Sequence, residues 1–189
     1  PSYTPAAPPP RVRCAASESS RRPVRLCTSV CFARLAGARV LRLGSPRSPA
    51  GTDGALTFAP GFTVDASAAL DLLCVPGGWG VNALFEDAAL LAFLRLRATH
   101  ARFVTSVCSG ALLLGAAGLL RGYRATTHWQ SLELLPMFGA EPVTQRVVRD
   151  RNRITGAGVT SGIDFALVVA AEPFGDMVAQ QINLAIESA

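Results

Sequence analysis

Apolar residues in this chain gather in short blocks of two kinds. Residues 71–75 (Asp-Leu-Leu-Cys-Val) and 103–107 (Phe-Val-Thr-Ser-Val) are brief and almost unbroken by charge. Such runs suit parallel strands covered on both faces. Between them, residues 82–98 place Leu84, Phe85, Leu91 and Leu94 at helical spacing, with Glu86, Asp87, Arg95 and Arg97 between them, which predicts an amphipathic helix. A second helix is expected over 111–120, directly after Cys108-Ser109-Gly110, and a short one over 130–138. Residues 143–149 and 153–155 read as a hairpin turning at Asp150-Arg151-Asn152. Two further helices are expected over 160–171 and 176–187, parted by Pro173 and Gly175. Upstream, 38–43 reads as a strand and 44–54 as a loop. Residues 1–29 are rich in Pro, Arg, Ser and Ala without periodicity, and read as loop or disorder.

Strand–helix–strand–helix order implies an α/β sandwich around a mostly parallel sheet. Ligands of such sheets bind beyond the C-terminal strand ends. The turns Pro76-Gly77-Gly78 and Cys108-Ser109 both follow a strand, so two separate loops are expected to converge on one edge.

At 189 residues and half apolar, the chain suits one domain with a substantial core. Its apolar stretches are too short to span a bilayer, and residues 1–30 lack the apolar core of a signal peptide. The net charge of +5 conceals an asymmetry. Residues 1–50 hold nine Arg and one acid (Glu18), whereas 51–189 hold nine Arg and twelve acids. The basic piece has few aromatics and no helix-turn-helix pattern, which disfavours nucleic acid as a partner. No lysine is present, so lysine chemistry and a P-loop lysine are excluded. Five cysteines, no C-x-x-C pair and two histidines disfavour a zinc site. A reduced, cytoplasmic protein without metal is expected.

Cys108 is the leading candidate for chemistry. A nucleophile on a strand-to-helix turn stands at the sheet edge, and a helix N-terminus favours the thiolate. A small core cysteine is the alternative. Charge developing during attack needs donors, and the backbone N–H groups of Ser109 and Gly78 could supply them. Gly77-Gly78 also fits an ordinary turn. The Ser109 hydroxyl could relay a proton, hold a substrate atom or cap the following helix. His128, in Thr126-Thr127-His128-Trp129, could act as a base or thiolate partner, or be structural. His100 is expected to be exposed, and Asp164 to tie down a helix end.

Four segments together resemble the ThiJ/PfpI superfamily: Val75-Pro76-Gly77-Gly78, Thr105-Ser106-Val107-Cys108-Ser109-Gly110-Ala111, Arg124-Ala125-Thr126-Thr127-His128-Trp129 and Ala157-Gly158-Val159-Thr160-Ser161-Gly162-Ile163-Asp164. Gly80-Val81-Asn82-Ala83-Leu84 and residues 146–156 are similar to its isonitrile hydratase branch. The likeness covers about residues 32–187, so 31–189 is expected to form the family domain and 1–30 an atypical segment. The resemblance implies a homodimeric, three-layer flavodoxin-like sandwich of the class I glutamine amidotransferase-like type. It implies Cys108 as the nucleophile on an elbow, followed by the hydroxyl residue Ser109. The candidate site is therefore Cys108, Ser109 and His128 for catalysis, with Gly77, Gly78 and Ser109 for the substrate. The implied reaction hydrates an isonitrile to an N-substituted formamide through a thioimidate on Cys108, without a cofactor. Peptidase-like relatives carry His directly after the cysteine, and Ser109 stands there instead.

The family also carries an acid in an N-terminal Leu-Asp-Leu-x-Gly-Pro-type segment. By register its place falls at Val24, and no counterpart of the family's first strand is recognisable. The expectation is that residues 1–30 are not family sequence, as after a frame error, or that proton transfer is impaired. Two other readings remain open: the ligand-sensing half of an AraC-type regulator, and a glyoxalase-like or redox-sensing thiol protein.

Overall fold

The computed structural model describes residues 71–186 throughout, together with the strand segments β1 (Val12–Ala15), β2 (Arg42–Gly44), β3 (Ala50–Gly51), β4 (Thr57–Phe58) and β5 (Phe62–Thr63). The two apolar runs form β6 (Leu72–Val75) and β7 (Phe103–Val107). All nine of these strand residues are buried, as expected of strands covered on both faces. After them come β8 (Arg124–Ala125), β9 (Glu141–Pro142), β10 (Val147–Asp150) and β11 (Arg153–Gly156). The helices are α1 (Ala88–His100), α2 (Gly110–Ala116), α3 (Gly162–Phe174) and α4 (Asp176–Ala185).

The main sheet has the order β10-β11-β7-β6-β1-β2-β5. Every neighbouring pair in it is parallel except the β10–β11 hairpin. Side chains alternate across a strand, and the alternation sorts the core into two layers. Leu73, Val75 and Val104 pack with α1, α2 and Leu135. Leu72, Cys74, Phe103, Val107 and Ile154 pack with α3 and Ile182 of α4. The result is a three-layer α/β sandwich. Fully buried Leu113, Leu114 and Phe165 each stabilise it by about 1.5–3 kcal/mol.

The chain runs outward from β1 through β2 to β5, then returns to β6 on the other side of β1. The sheet therefore changes direction between β1 and β6, and a crevice opens beyond the strand ends at such a point. Both candidate turns lie on that edge, one after β6 and one after β7.

Several expectations need correction. Val12–Ala15 lies in the span read as loop or disorder, yet it pairs in parallel with both β2 and β6. Apolar periodicity is absent there because four residues between two strands need only backbone pairing. The atypical segment 1–30 thus contributes a strand to the sheet, and the rest of it lies outside the described residues. The strand expected at 38–43 is described at Arg42–Gly44, and the loop at 44–54 contains β3, paired antiparallel with β4.

The helix expected over 82–98 is split. Trp79–Leu84 is a 3-10 segment, and α1 starts after Asp87, whose carboxylate accepts the Leu90 N–H at 2.9 Å. Asp87 acts as an N-cap, not as one more polar position. α2 stops at Ala116, short of Leu120, where Gly118 at φ 76 turns the chain. The short helix is a 3-10 segment, Trp129–Phe138. Pro173 lies inside α3, and the break before α4 comes at Gly175, at φ 86. Among the described residues no helix is long and apolar enough to cross a membrane.

Candidate active site

Cys108 occupies the single step between the end of β7 and the residue that precedes α2, and its φ is 57°. An L-residue held in this left-handed region costs about 1–3 kcal/mol, so the surroundings must hold it. Two hydrogen bonds do so. The Cys108 N–H donates to the Gly156 carbonyl at 2.9 Å, and the Thr127 hydroxyl donates to the Cys108 carbonyl at 2.8 Å. The ends of β7 and β11 and the 126–128 segment are therefore tied together at the thiol-bearing residue.

Two glycines let the neighbouring turn close on it. A Cβ at Gly110 would collide with the Val75 carbonyl oxygen and lie 2.9 Å from Pro76 C, so α2 begins flush against the end of β6. A Cβ at Gly77 would lie 2.5 Å from Ser109 N, 2.7 Å from Ser109 Oγ and 2.9 Å from Cys108 Cβ. The missing side chain of Gly77 thus lets its turn pack closely against Ser109 and Cys108. The Ser109 N–H makes no backbone hydrogen bond among the described residues, as is usual for a donor at a helix start.

Ser109 does not cap α2 with its side chain. Its hydroxyl instead accepts the Gly78 N–H at 2.9 Å and donates to the Gly78 carbonyl at 3.2 Å. Gly78, at φ 155 and ψ 172, sits in a region open essentially to glycine alone. This pairing revises the two-donor expectation. The Gly78 N–H is engaged by Ser109, whereas the Ser109 N–H has no backbone partner among the described residues.

His128 is half-buried on the segment that Thr127 anchors. Its Cδ2 would lie 3.9 Å from a Cβ built on Gly158, and its ring centroid is 5.8 Å from that of Trp129. Among the described residues no carboxylate bonds to it. Sequence reasoning named His128 but overlooked Thr127, the residue that carries the segment to Cys108. Two threonines in a row before an imidazole were the available signal: both are buried, and Thr126 N–H donates to Thr155 Oγ1 at 2.9 Å. His100 is exposed at the end of α1. Asp164, in the first turn of α3, accepts from Arg146 Nε at 2.6 Å, while Arg146 also donates to the Thr160 carbonyl at 2.6 Å.

The residues just before the 126–128 segment are held by the β10–β11 hairpin. Tyr123 is flanked by Arg151, 3.6 Å from the ring centroid, and Arg153, at 4.8 Å. Arg153 also donates to the Leu119 carbonyl at 2.8 Å, and burial pushes its guanidinium below the ordinary arginine value. Asp150 accepts from Arg151 Nε at 3.1 Å and from Arg124 N at 2.9 Å. The Arg151 hydrogen bond first, and the Arg124 N–H second, hold its carboxyl below the usual aspartate range. Among the described residues, no three His, Cys, Asp or Glu side chains gather in a way that could hold a metal ion.

Comparison with known proteins places these features. The chain is 52% identical over 141 residues to the isonitrile hydratase of Pseudomonas putida, a match that takes in 75% of this chain and 62% of that protein. It is 31% identical over 134 residues to the HTH-type transcriptional regulator GbdR of Pseudomonas aeruginosa, covering 70% of this chain and 36% of the regulator. The chain therefore spans less than two thirds of the length of either curated relative. The crystal structure of a ThiJ/PfpI family protein from Pseudomonas syringae superposes with a TM-score of 0.89 at 40% identity, over 100% of this chain and 81% of that one. The DJ-1/PfpI family pattern matches residues 29–172, most of the sequence and all of the site just described, and the chain belongs to the DJ-1/PfpI family.

Proposed function

We propose that the protein is a hydro-lyase that adds water to an isonitrile to give an N-substituted formamide, with Cys108 as the nucleophile. The observation that carries this reading is the 52% identity to an isonitrile hydratase. The Cys108 sulfur attacks the terminal isonitrile carbon, and the thiol proton ends on that carbon, giving a thioimidate. Water then adds to the C=N carbon while the nitrogen gains a proton. Collapse of the tetrahedral adduct expels the sulfur, and the remaining hydroxyl proton returns to it. Isonitrile plus water equals formamide, with no redox change and no cofactor.

The placement of these residues supports the following roles. The Ser109 N–H, which has no backbone partner among the described residues, supports the adduct oxygen. Gly78 holds the Ser109 hydroxyl at a set orientation. His128, carried by Thr127 to the same strand ends, moves the water proton. The family acid's place, Val24, lies outside the described residues. If nothing replaces that acid, turnover falls by about 10²–10⁴-fold. A cytoplasmic homodimer is part of this proposal. A second reading, a ligand-sensing domain, is favoured by the 31% identity to GbdR.

The test is formation of formamide from cyclohexyl isonitrile by the wild type and by Cys108→Ala. Turnover lost in the variant supports the hydratase. No turnover by the wild type, with Cys108 still alkylating readily, refutes it and favours the sensor.

A further inference from the structure

Trp129 is a large aromatic side chain left 75% exposed, on the segment whose Thr127 hydroxyl bonds the Cys108 carbonyl. Its position in the 3-10 segment makes that exposure informative. Residues three apart share a face in such a helix, and Trp129, Leu132, Leu135 and Phe138 recur at that spacing. Leu135 is fully buried, and Leu132 and Phe138 pack against the same core. Trp129 continues this apolar stripe past the edge of the core, where no core is left to cover it. It lies two residues beyond Thr127, whose hydroxyl bonds the Cys108 carbonyl, and its ring neighbours that of His128.

We infer that Trp129 is the apolar wall of the Cys108 site and receives the carbon substituent of the substrate, selecting a flat aryl or a cycloalkyl group over a methyl group. The inference rests on the hydratase reading for the reacting group, and on the stripe and its neighbours for the substituent. An isonitrile's reacting carbon is small, so discrimination between isonitriles falls on the group attached to nitrogen. The Ser109 hydroxyl is taken up by Gly78 and provides no apolar surface for a substituent. An indole offers a flat surface against which an apolar ring packs. Exposed Leu134 and Met137 lie on another face of the segment and do not extend this wall.

The experiment uses the full chain as wild type, Trp129→Ala and Trp129→Phe. Cys108 is alkylated with N-phenylmaleimide and with N-methylmaleimide, and the rate is read on the Cys108 peptide by mass spectrometry. Each rate is divided by that of glutathione with the same reagent. The expected wild-type preference for the phenyl reagent is about five- to tenfold; it disappears in Trp129→Ala and is largely kept in Trp129→Phe. In parallel, the kcat/KM ratio of cyclohexyl to methyl isonitrile falls by a similar factor in Trp129→Ala. An equal phenyl preference in the wild type and Trp129→Ala, or none in the wild type, overturns the inference. So does a dimer that becomes a monomer in Trp129→Ala with the preference intact, because a second copy then covers the indole. Absence of any isonitrile turnover overturns the hydratase reading alone, since the alkylation ratio still judges Trp129.

Discussion

Replacing Gly77 by alanine places one methyl group where three atoms already stand. The new Cβ would lie 2.5 Å from Ser109 N, 2.7 Å from Ser109 Oγ and 2.9 Å from Cys108 Cβ. Carbon atoms rest at about 3.5–4.0 Å from their neighbours, so a displacement of roughly 1 Å is required. Little nearby can yield. Cys108 is pinned at φ 57 through its N–H and its carbonyl, and Ser109 Oγ is held on both sides by Gly78. Gly77 itself has no positive φ, so the cost is steric and not conformational. Overpacking costs about 1–3 kcal/mol, and loss of the Ser109–Gly78 hydrogen bonding adds about 0.5–1.5 kcal/mol. Together these lower Tm by about 4–15 °C in a chain of this length. The assay is thermal unfolding by circular dichroism, paired with the rate of Cys108 alkylation by iodoacetamide read on its peptide. Below its Tm, the folded variant should alkylate about tenfold more slowly, because the methyl fills the space beside the sulfur-bearing carbon. A Tm within 2 °C of wild type, with an unchanged alkylation rate, would refute the close approach of the two turns.

Thr127→Val removes the hydroxyl donor to the Cys108 carbonyl while keeping the shape; that carbonyl keeps only the longer bond from the Ala111 N–H at 3.4 Å, so stability drops by about 0.5–1.5 kcal/mol in urea titration. An unchanged midpoint would show that the bond does not hold the turn. Ser106 Oγ is fully buried with no hydrogen-bond partner among the described residues, so Ser106→Ala should be neutral or stabilising by up to about 1 kcal/mol, and a clear loss of Tm would contradict it. Asp150 is held below the ordinary aspartate value of 3.8, chiefly by the Arg151 hydrogen bond. Its contribution is complete above that value and is lost as pH falls through the lowered one. The stability difference between wild type and Asp150→Asn should therefore be constant near neutrality and vanish in acid. A difference that grows on acidification would contradict the sign.

Unbroken apolar runs and helical spacing carried most of the fold. β6 and β7 coincide with the unbroken apolar runs, because a strand covered on both faces has no polar side to interrupt it. The hairpin at Asp150-Arg151-Asn152 was likewise legible. Where local pattern misled, a single polar residue or glycine had decided the matter. Asp87 capped a helix that was expected to run through it, and Gly118 turned the chain where apolar residues ran on. β1 was illegible because four residues lodged between two strands need no periodicity of their own.

The sequence by itself determined the class of fold, the strand-to-helix turn at Cys108 and the set of residues worth watching. Those properties depend on neighbours along the chain, and apolar spacing and glycines record them. Only the tertiary structure decided how the set is joined. Thr127 reaches Cys108 across 19 positions and Ser109 reaches Gly78 across 31. The latter contact engages the Gly78 N–H, which local sequence leaves available. Contacts between distant segments arise from the packing of whole elements, and no local periodicity encodes which donor will meet which acceptor.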